Sequence, residues 1–185
     1  MKKQLEIWTI PNILSFFRLA LIPFIVWAYF LEVHLLCAGL IVLSGITDIL
    51  DGYIARRFDM VSALGKALDP IADKLTLFAI LIFVGIEKNI LLVLLGIFIV
   101  KEILMGIEGL IIIKKTGTTY SAEWYGKITT LVMYLSMITV IVWQNIPQIA
   151  IHIILILCSA LVLFSFIMYS IRNYKNLKNS SKNEQ

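Results

Sequence analysis

All five aspartates of this 185-residue chain, Asp48, Asp51, Asp59, Asp69 and Asp73, fall between positions 48 and 73. Four of them are spaced to act together. Asp48, Asp51, Gly52, Ala55 and Arg56 recur at i, i+3, i+4, i+7 and i+8, which is one side of a helix. Gly65, Asp69 and Asp73 recur at i, i+4 and i+8, one stripe of the next helix. The connection over 57–64 lets the two helices lie side by side, so four carboxylates converge. They cannot all stay ionised near a low-dielectric medium without cations, and Arg56 alone is too little charge. Hard divalent ions answer this need, because all-oxygen sites suit Mg2+ or Mn2+. Two ions cancel four carboxylates and leave capacity for a diphosphate, and a pair about 3.5–4 Å apart can hold both oxygens of a phosphoryl displacement. Gly52, Ala55 and Gly65 let a bulky ligand approach the helix backbones, and Arg56 is placed to grip phosphate with two hydrogen bonds. Asp59 lies off both stripes and reads as a solvated loop residue or helix cap. Arg57 reads as a headgroup or topology charge, and Lys66 and Lys74 as snorkelling side chains.

The helices that carry these stripes belong to a chain that is 60% hydrophobic and 15% charged, with a mean hydropathy of +0.93. Soluble domains run about 45–50% apolar and about 25% charged. A water-soluble globule is therefore excluded, as are disorder, a disulfide scaffold and a coiled coil. A spanning helix needs about 20 mostly apolar residues, and six runs meet or approach that length: 13–31, 33–50, 70–86, 89–113, 128–143 and 148–169. The fifth is short and is expected to reach back past Lys127. The fold class is an all-α polytopic membrane protein of six transmembrane helices. An N-terminal amphipathic helix over 2–10 lies on the membrane surface, and Pro11-Asn12 turns into the first span. Lys2 and Lys3 ahead of an apolar run look like a signal peptide, but Arg18, Pro23 and the lack of an A-x-A site identify a retained span. Residues 1–170 form one membrane domain, and 171–185 a polar tail expected to be a frayed helix end and then disorder.

Lys2, Lys3, Arg56, Arg57, Lys66, Lys114, Lys115, Arg172, Lys175, Lys178 and Lys182 gather on one set of connections, against Glu32, Glu87, Lys88 and uncharged 144–148 on the other. By the positive-inside rule both termini and the aspartate cluster face the cytoplasm. Cys37 and Cys158 sit in apolar runs without metal-ligand spacing and read as inert buried thiols. His34 and His152 read as polar residues of the far membrane face. Asn12 and Arg18 read as organisers of the helix bundle. Lys101 and Glu102 lie within a span and invite a functional or paired role, Glu108 less so.

The pattern D-x2-D-G-x2-A-R-x8-G-x3-D-x3-D, here Asp48, Asp51, Gly52, Ala55, Arg56, Gly65, Asp69 and Asp73, resembles the signature of the CDP-alcohol phosphatidyltransferases, with every fixed position present. The likeness extends to the six spans, the interfacial N-terminal helix and the opening I-P-N-I-L-S-F-F-R with Pro23. It implies transfer of a phosphatidyl group from CDP-diacylglycerol to an alcohol in the cell membrane, with release of CMP. It implies that Asp48, Asp51, Asp69 and Asp73 hold two Mg2+, that Mn2+ can substitute, and that Asp73 is the general base. Gly52, Ala55, Arg56 and Gly65 would bind the CDP moiety. The implied partners are the two substrates, the bilayer and a second copy of the chain in a homodimer, with no nucleic acid. For the acceptor, Lys101, Glu102 and Lys127 resemble the glycerol 3-phosphate residues of phosphatidylglycerophosphate synthases. Lys101 replaces an arginine there, and Gly109 stands where a second arginine is expected. The stretch A-L-D-P-I-A-D-K is also similar to CMP-forming cardiolipin synthases, which take phosphatidylglycerol. A divalent-metal transporter with a midplane acidic site is the rival from another class. A non-catalytic scaffold leaves the four aspartates unexplained.

Overall fold

The computed structural model describes residues 9–58, 63–116 and 123–183, apart from the side chains of 56, 63, 64, 66, 67, 70, 116 and 176–183. The interfacial segment expected before Thr9, and Asp59, lie outside the described residues. Six long helices follow in order: α1 Ile10–Phe30, α2 His34–Arg57, α3 Ala63–Glu87, α4 Leu92–Thr116, α5 Trp124–Val142 and α6 Gln148–Asn183, with a 3₁₀ turn Asn89–Leu91 before α4. No strand occurs among the described residues. Among the described residues five helices are long and apolar enough to cross a membrane. The exception, α3, carries Lys66, Asp69, Asp73 and Lys74 in its first half, so the number of spanning helices is five or six.

The chain divides into two compact units. The first takes the chain up to Val84 together with Met137–Gln144. Thr9 caps α1, its hydroxyl accepting the Asn12 N–H at 3.4 Å, and Pro11 occupies the first turn, where its missing N–H costs nothing. The buried residues of α1 form one stripe with two chemistries: Asn12, Ser15 and Arg18 in its first half, then Leu21, Ile25 and Ala28. This stripe packs along α2, whose buried positions Cys37, Ala38, Ile41, Ser44, Thr47 and Asp51 recur at the same helical spacing. Tyr29 and Phe83 meet at 4.4 Å between ring centroids, tying α3 to the apolar half. Two buried hydroxyls are satisfied within their own helices, Thr47 donating to the Ser44 carbonyl and Thr76 to that of Ala72. Phe24, Trp27, Phe30, Leu35 and Ile49 are exposed, a large apolar exterior that suits hydrocarbon.

The second unit comprises Gly85–Ser136 and the chain from Asn145 onward. In it α4 packs along α6, with Leu94, Phe98, Ile112, Cys158 and Val162 buried. Gly126 on α5 sits under Tyr169 of α6, and a Cβ at that position would lie 2.6 Å from the phenol oxygen. That oxygen accepts the Glu123 N–H at 2.9 Å, so the helix start is held by a side chain from α6.

Several helix ends differ from the hydropathy reading, α2 among them, which runs on to Arg57, while the expectation for α5 holds. α3 begins at Ala63, seven residues ahead of the expected start, and carries Pro70 in its interior. α5 does reach back past Lys127, to Trp124. α6 runs through Ser170 to Asn183 without a break, because the segment after Tyr169 holds neither glycine nor proline to stop it, and Asn173 is buried.

The α1–α2 turn supplies a test of backbone chemistry. The Glu32 N–H bonds the Tyr29 carbonyl at 2.9 Å and the Val33 N–H bonds that of Ala28 at 3.1 Å. This is the paired bonding of a Schellman end, whose left-handed residue is usually glycine. Here it is Glu32, at φ 59°. Glu32→Gly is expected to raise the thermal midpoint of the detergent-solubilised protein, by the equivalent of about 1 kcal/mol, while Glu32→Val lowers it. Equal midpoints for the three proteins would show that the turn does not limit stability.

Candidate active site

Three helices of the first unit bring their charged positions to one place. On α2, Asp48 and Asp51 lie one turn apart, near the end of the stripe that packs on α1. On α3, Asp69 and Asp73 share a face with buried Gly65. The third contribution comes from α1, where Ser15 and Arg18 lie one turn apart on its buried stripe. The aspartates sit inside helices, so they are not caps. They are held by the rigid parts of the fold.

Arg18 stands at the centre. Only 1% of its surface is exposed, and its two terminal nitrogens serve three carboxylates. Nη1 donates to Asp48 and, at 2.5 Å, to Asp73. Nη2 donates to Asp51. The Ser15 hydroxyl donates to the fourth carboxylate, Asp69, which lies within charge–charge range of Asp51 and Asp73. The cluster is closed at one end and open at the other: Asp51 is 2% exposed, while the Asp48 and Asp73 side chains are 38% and 37% exposed. A charged group arriving from outside therefore meets Asp48 and Asp73 first.

The four aspartates are thus brought together as their spacing requires, with a central cation supplied by α1. The sequence reading gave Arg18 the organising of the bundle and overlooked it as a counter-charge to the aspartates. Ser15 was missed altogether. A signal was present: an arginine inside an apolar run marks a functional position, and Asn12, Ser15 and Arg18 recur at helical spacing. Gly52 and Ala55 are half-buried on α2 beside the aspartates. The Arg56 side chain lies outside the described residues.

The donor chemistry fits hard divalent ions, since among the described side chains the bonded group offers four carboxylates against one guanidinium, an excess of negative charge for cations to balance. As the side chains stand, no three His, Cys, Asp or Glu among the described residues are drawn close enough to grip one ion. The carboxylates are arranged around Arg18.

The three residues expected at an acceptor site belong to the second unit. Lys101 and Glu102, neighbours on α4, form an ion pair at 2.6 Å, both largely buried. The Lys101 ammonium also lies 5.7 Å from the centre of the Phe98 ring. Lys127 is exposed on the first turn of α5. Glu108 accepts from the Ser170 hydroxyl at 2.6 Å and the Asn173 amide at 2.8 Å, which gives this carboxylate a structural role between α4 and α6. Arg172 bonds Glu123 at 2.9 Å and stacks on Tyr169, its guanidinium carbon 5.0 Å from the ring centre.

A CDP-diacylglycerol--glycerol-3-phosphate 3-phosphatidyltransferase of Aquifex aeolicus is 32% identical over 171 residues, 90% of this chain and 96% of that protein. Its namesake in Rickettsia bellii is 45% identical over 76 residues, 40% of this chain and 42% of that protein. The human cardiolipin synthase (CMP-forming) is 48% identical over 69 residues, 37% of this chain and 23% of that protein. The stretches matched in the Rickettsia and human proteins are thus under half of their lengths. Residues 8–172 match the sequence profile of one family, that of the CDP-alcohol phosphatidyltransferases. A match that takes in all six helices, the four aspartates and Arg18 leaves one assignment: the chain belongs to the CDP-alcohol phosphatidyltransferase family.

Proposed function

We propose that the protein transfers the phosphatidyl group of CDP-diacylglycerol to glycerol 3-phosphate, giving phosphatidylglycerophosphate and CMP. The observation that carries this reading is the four-aspartate cluster on α2 and α3, in a chain matched almost end to end by the Aquifex aeolicus enzyme of that name. Asp48, Asp51, Asp69 and Asp73 hold two Mg2+, for which Mn2+ can stand in. When bound, these ions supply the positive charge that the diphosphate and the departing CMP need.

The chain's own residues do the rest. Gly52, Ala55 and Gly65, the small positions of the two aspartate helices, admit the cytidine, and Arg56 binds the diphosphate. Asp73, whose side chain is on the open side of the cluster, takes the proton of the acceptor hydroxyl. The acceptor oxygen then attacks the phosphorus attached to diacylglycerol, the bond from that phosphorus to CMP breaks, and CMP leaves with the electron pair. Lys101, Glu102 and Lys127 form the acceptor site, and Lys127, exposed at the start of α5, is its phosphate ligand.

The positive connections put the active site and both termini on the cytoplasmic side of the cell membrane, where a nucleotide headgroup meets a lipid tail. The protein works as a homodimer, as the family resemblance implies. A second reading, cardiolipin synthesis with phosphatidylglycerol as acceptor, is favoured by the 48% identity to the human cardiolipin synthase and by Gly109 in place of a second cation.

An acceptor panel with the purified protein separates the two readings. Offered glycerol 3-phosphate, phosphatidylglycerol, serine and inositol phosphate with CDP-diacylglycerol, it should yield phosphatidylglycerophosphate by mass, and no CMP in excess chelator. Cardiolipin as the product would move the assignment to the second reading, and full activity in chelator would remove the metals. Asp73→Asn is expected to lower kcat by about 10²-fold or more while nucleotide binding persists. A near-normal rate would take the proton transfer away from Asp73. Lys127→Ala should raise the KM for glycerol 3-phosphate about tenfold, the loss of one charge-assisted contact, with little change in kcat. An unaltered KM would make Lys127 a membrane anchor.

A further inference from the structure

Arg18 is almost completely buried and is among the largest side chains so buried. An arginine kept solely to brace a helix bundle is expected to have its donors satisfied, because each buried N–H without an acceptor is a lost hydrogen bond. Arg18 does not meet that expectation. Its terminal nitrogens donate to Asp48, Asp51 and Asp73, yet its Nε is buried with no partner among the described residues. The seat is shaped around the carboxylates, and the guanidinium fits it incompletely.

Charge leads to the same place. Among the described residues the Arg18 guanidinium faces Asp48, Asp51 and Asp73, and Asp69 is met by the neutral hydroxyl of Ser15. A single positive charge cannot balance four carboxylates in a low-dielectric setting, yet it is enough to keep three of them turned inward on one point. Any divalent ion bound by these aspartates draws on the same carboxylates, each of which gives one oxygen to Arg18. The partly exposed Asp48 and Asp73 give such an ion its way in.

We propose that Arg18 is a resident rival of the divalent ions: guanidinium and metal draw on the same carboxylates of Asp48, Asp51 and Asp73, so Arg18 sets the cation concentration at which the site loads. This rests on the reading of the aspartates as metal ligands. Arg18 is a positioning residue in this scheme. It gathers the carboxylates before the metal arrives and yields them when it does.

The test is Mn2+ binding to the full chain in detergent, followed by electron paramagnetic resonance of the free ion, beside thermal midpoints with Mn2+ and with chelator. Four proteins are compared: the parent, Asp51→Asn, Arg18→Gln and Arg18→Lys. Arg18→Gln should bind Mn2+ about tenfold more tightly than the parent, the effect of removing one close buried charge pair. Its midpoint should fall in chelator and recover with Mn2+, so that the Mn2+-induced shift exceeds the parent's. Arg18→Lys, whose compact ammonium cannot span three carboxylates, should change in the same direction by less. It decides the matter if Arg18→Gln does not fold.

Affinity unchanged or weakened in the folded Arg18 variants, with Asp51→Asn impaired, would overturn the rivalry and leave the metal-ligand reading standing. Parent and Asp51→Asn binding Mn2+ alike, or the parent binding none, would remove the metal-ligand reading and the proposal with it.

Discussion

Negative charge gathered inside an apolar helix bundle must be answered by positive charge within a few ångströms, and the first unit is organised around that demand. Ionised carboxylates withdrawn from water are costly unless paired and hydrogen-bonded. Asp51, almost wholly buried, is tolerable because the Arg18 guanidinium reaches it from the neighbouring helix. The same group serves Asp48 and Asp73, so one side chain from α1 fixes the end of α2 against the first half of α3. The buried stripe of α1 changes from polar to apolar along its length for this reason. Asn12, Ser15 and Arg18 face the charged end, and Leu21, Ile25 and Ala28 face the apolar one.

The second unit obeys the same rule on a smaller scale. Glu108, within the α4 span, is answered by two neutral donors, Ser170 and Asn173, and Lys101 is answered by the adjacent Glu102. At the helix end Glu123 is met by Arg172, while Tyr169 accepts its N–H. These charged side chains inside or beside apolar runs find partners on their own or the neighbouring helix, which is what a medium without water imposes. Satisfied in this way, Glu108 is an element of packing between α4 and α6.

How much of this was legible in the chain differs from feature to feature. The apolar runs disclosed the helices, because a segment surrounded by hydrocarbon must satisfy its backbone internally and the helix is the local way to do so. Their ends were less legible. α3 starts ahead of Pro70 and α6 continues beyond Ser170, since hydropathy marks where a segment ceases to be apolar and a helix stops only where its backbone is interrupted. The strain at Glu32 was invisible, because φ at a helix end depends on the turn that follows.

By itself the sequence determined the class of molecule and the acidic chemistry: an apolar composition, helices of spanning length, and four aspartates at spacings that put them on two helix faces. Those are local properties, set by residue type and helical period. Only the tertiary structure decided which cation those aspartates face and which hydroxyl meets Asp69. Arg18 and Ser15 lie 30 or more positions from the carboxylates they bond, and nothing in the spacing within α1 says which helix will pack against it. The pairing comes from the packing of α1 on α2 and the approach of α3, and the charge balance of the cluster is a product of that packing.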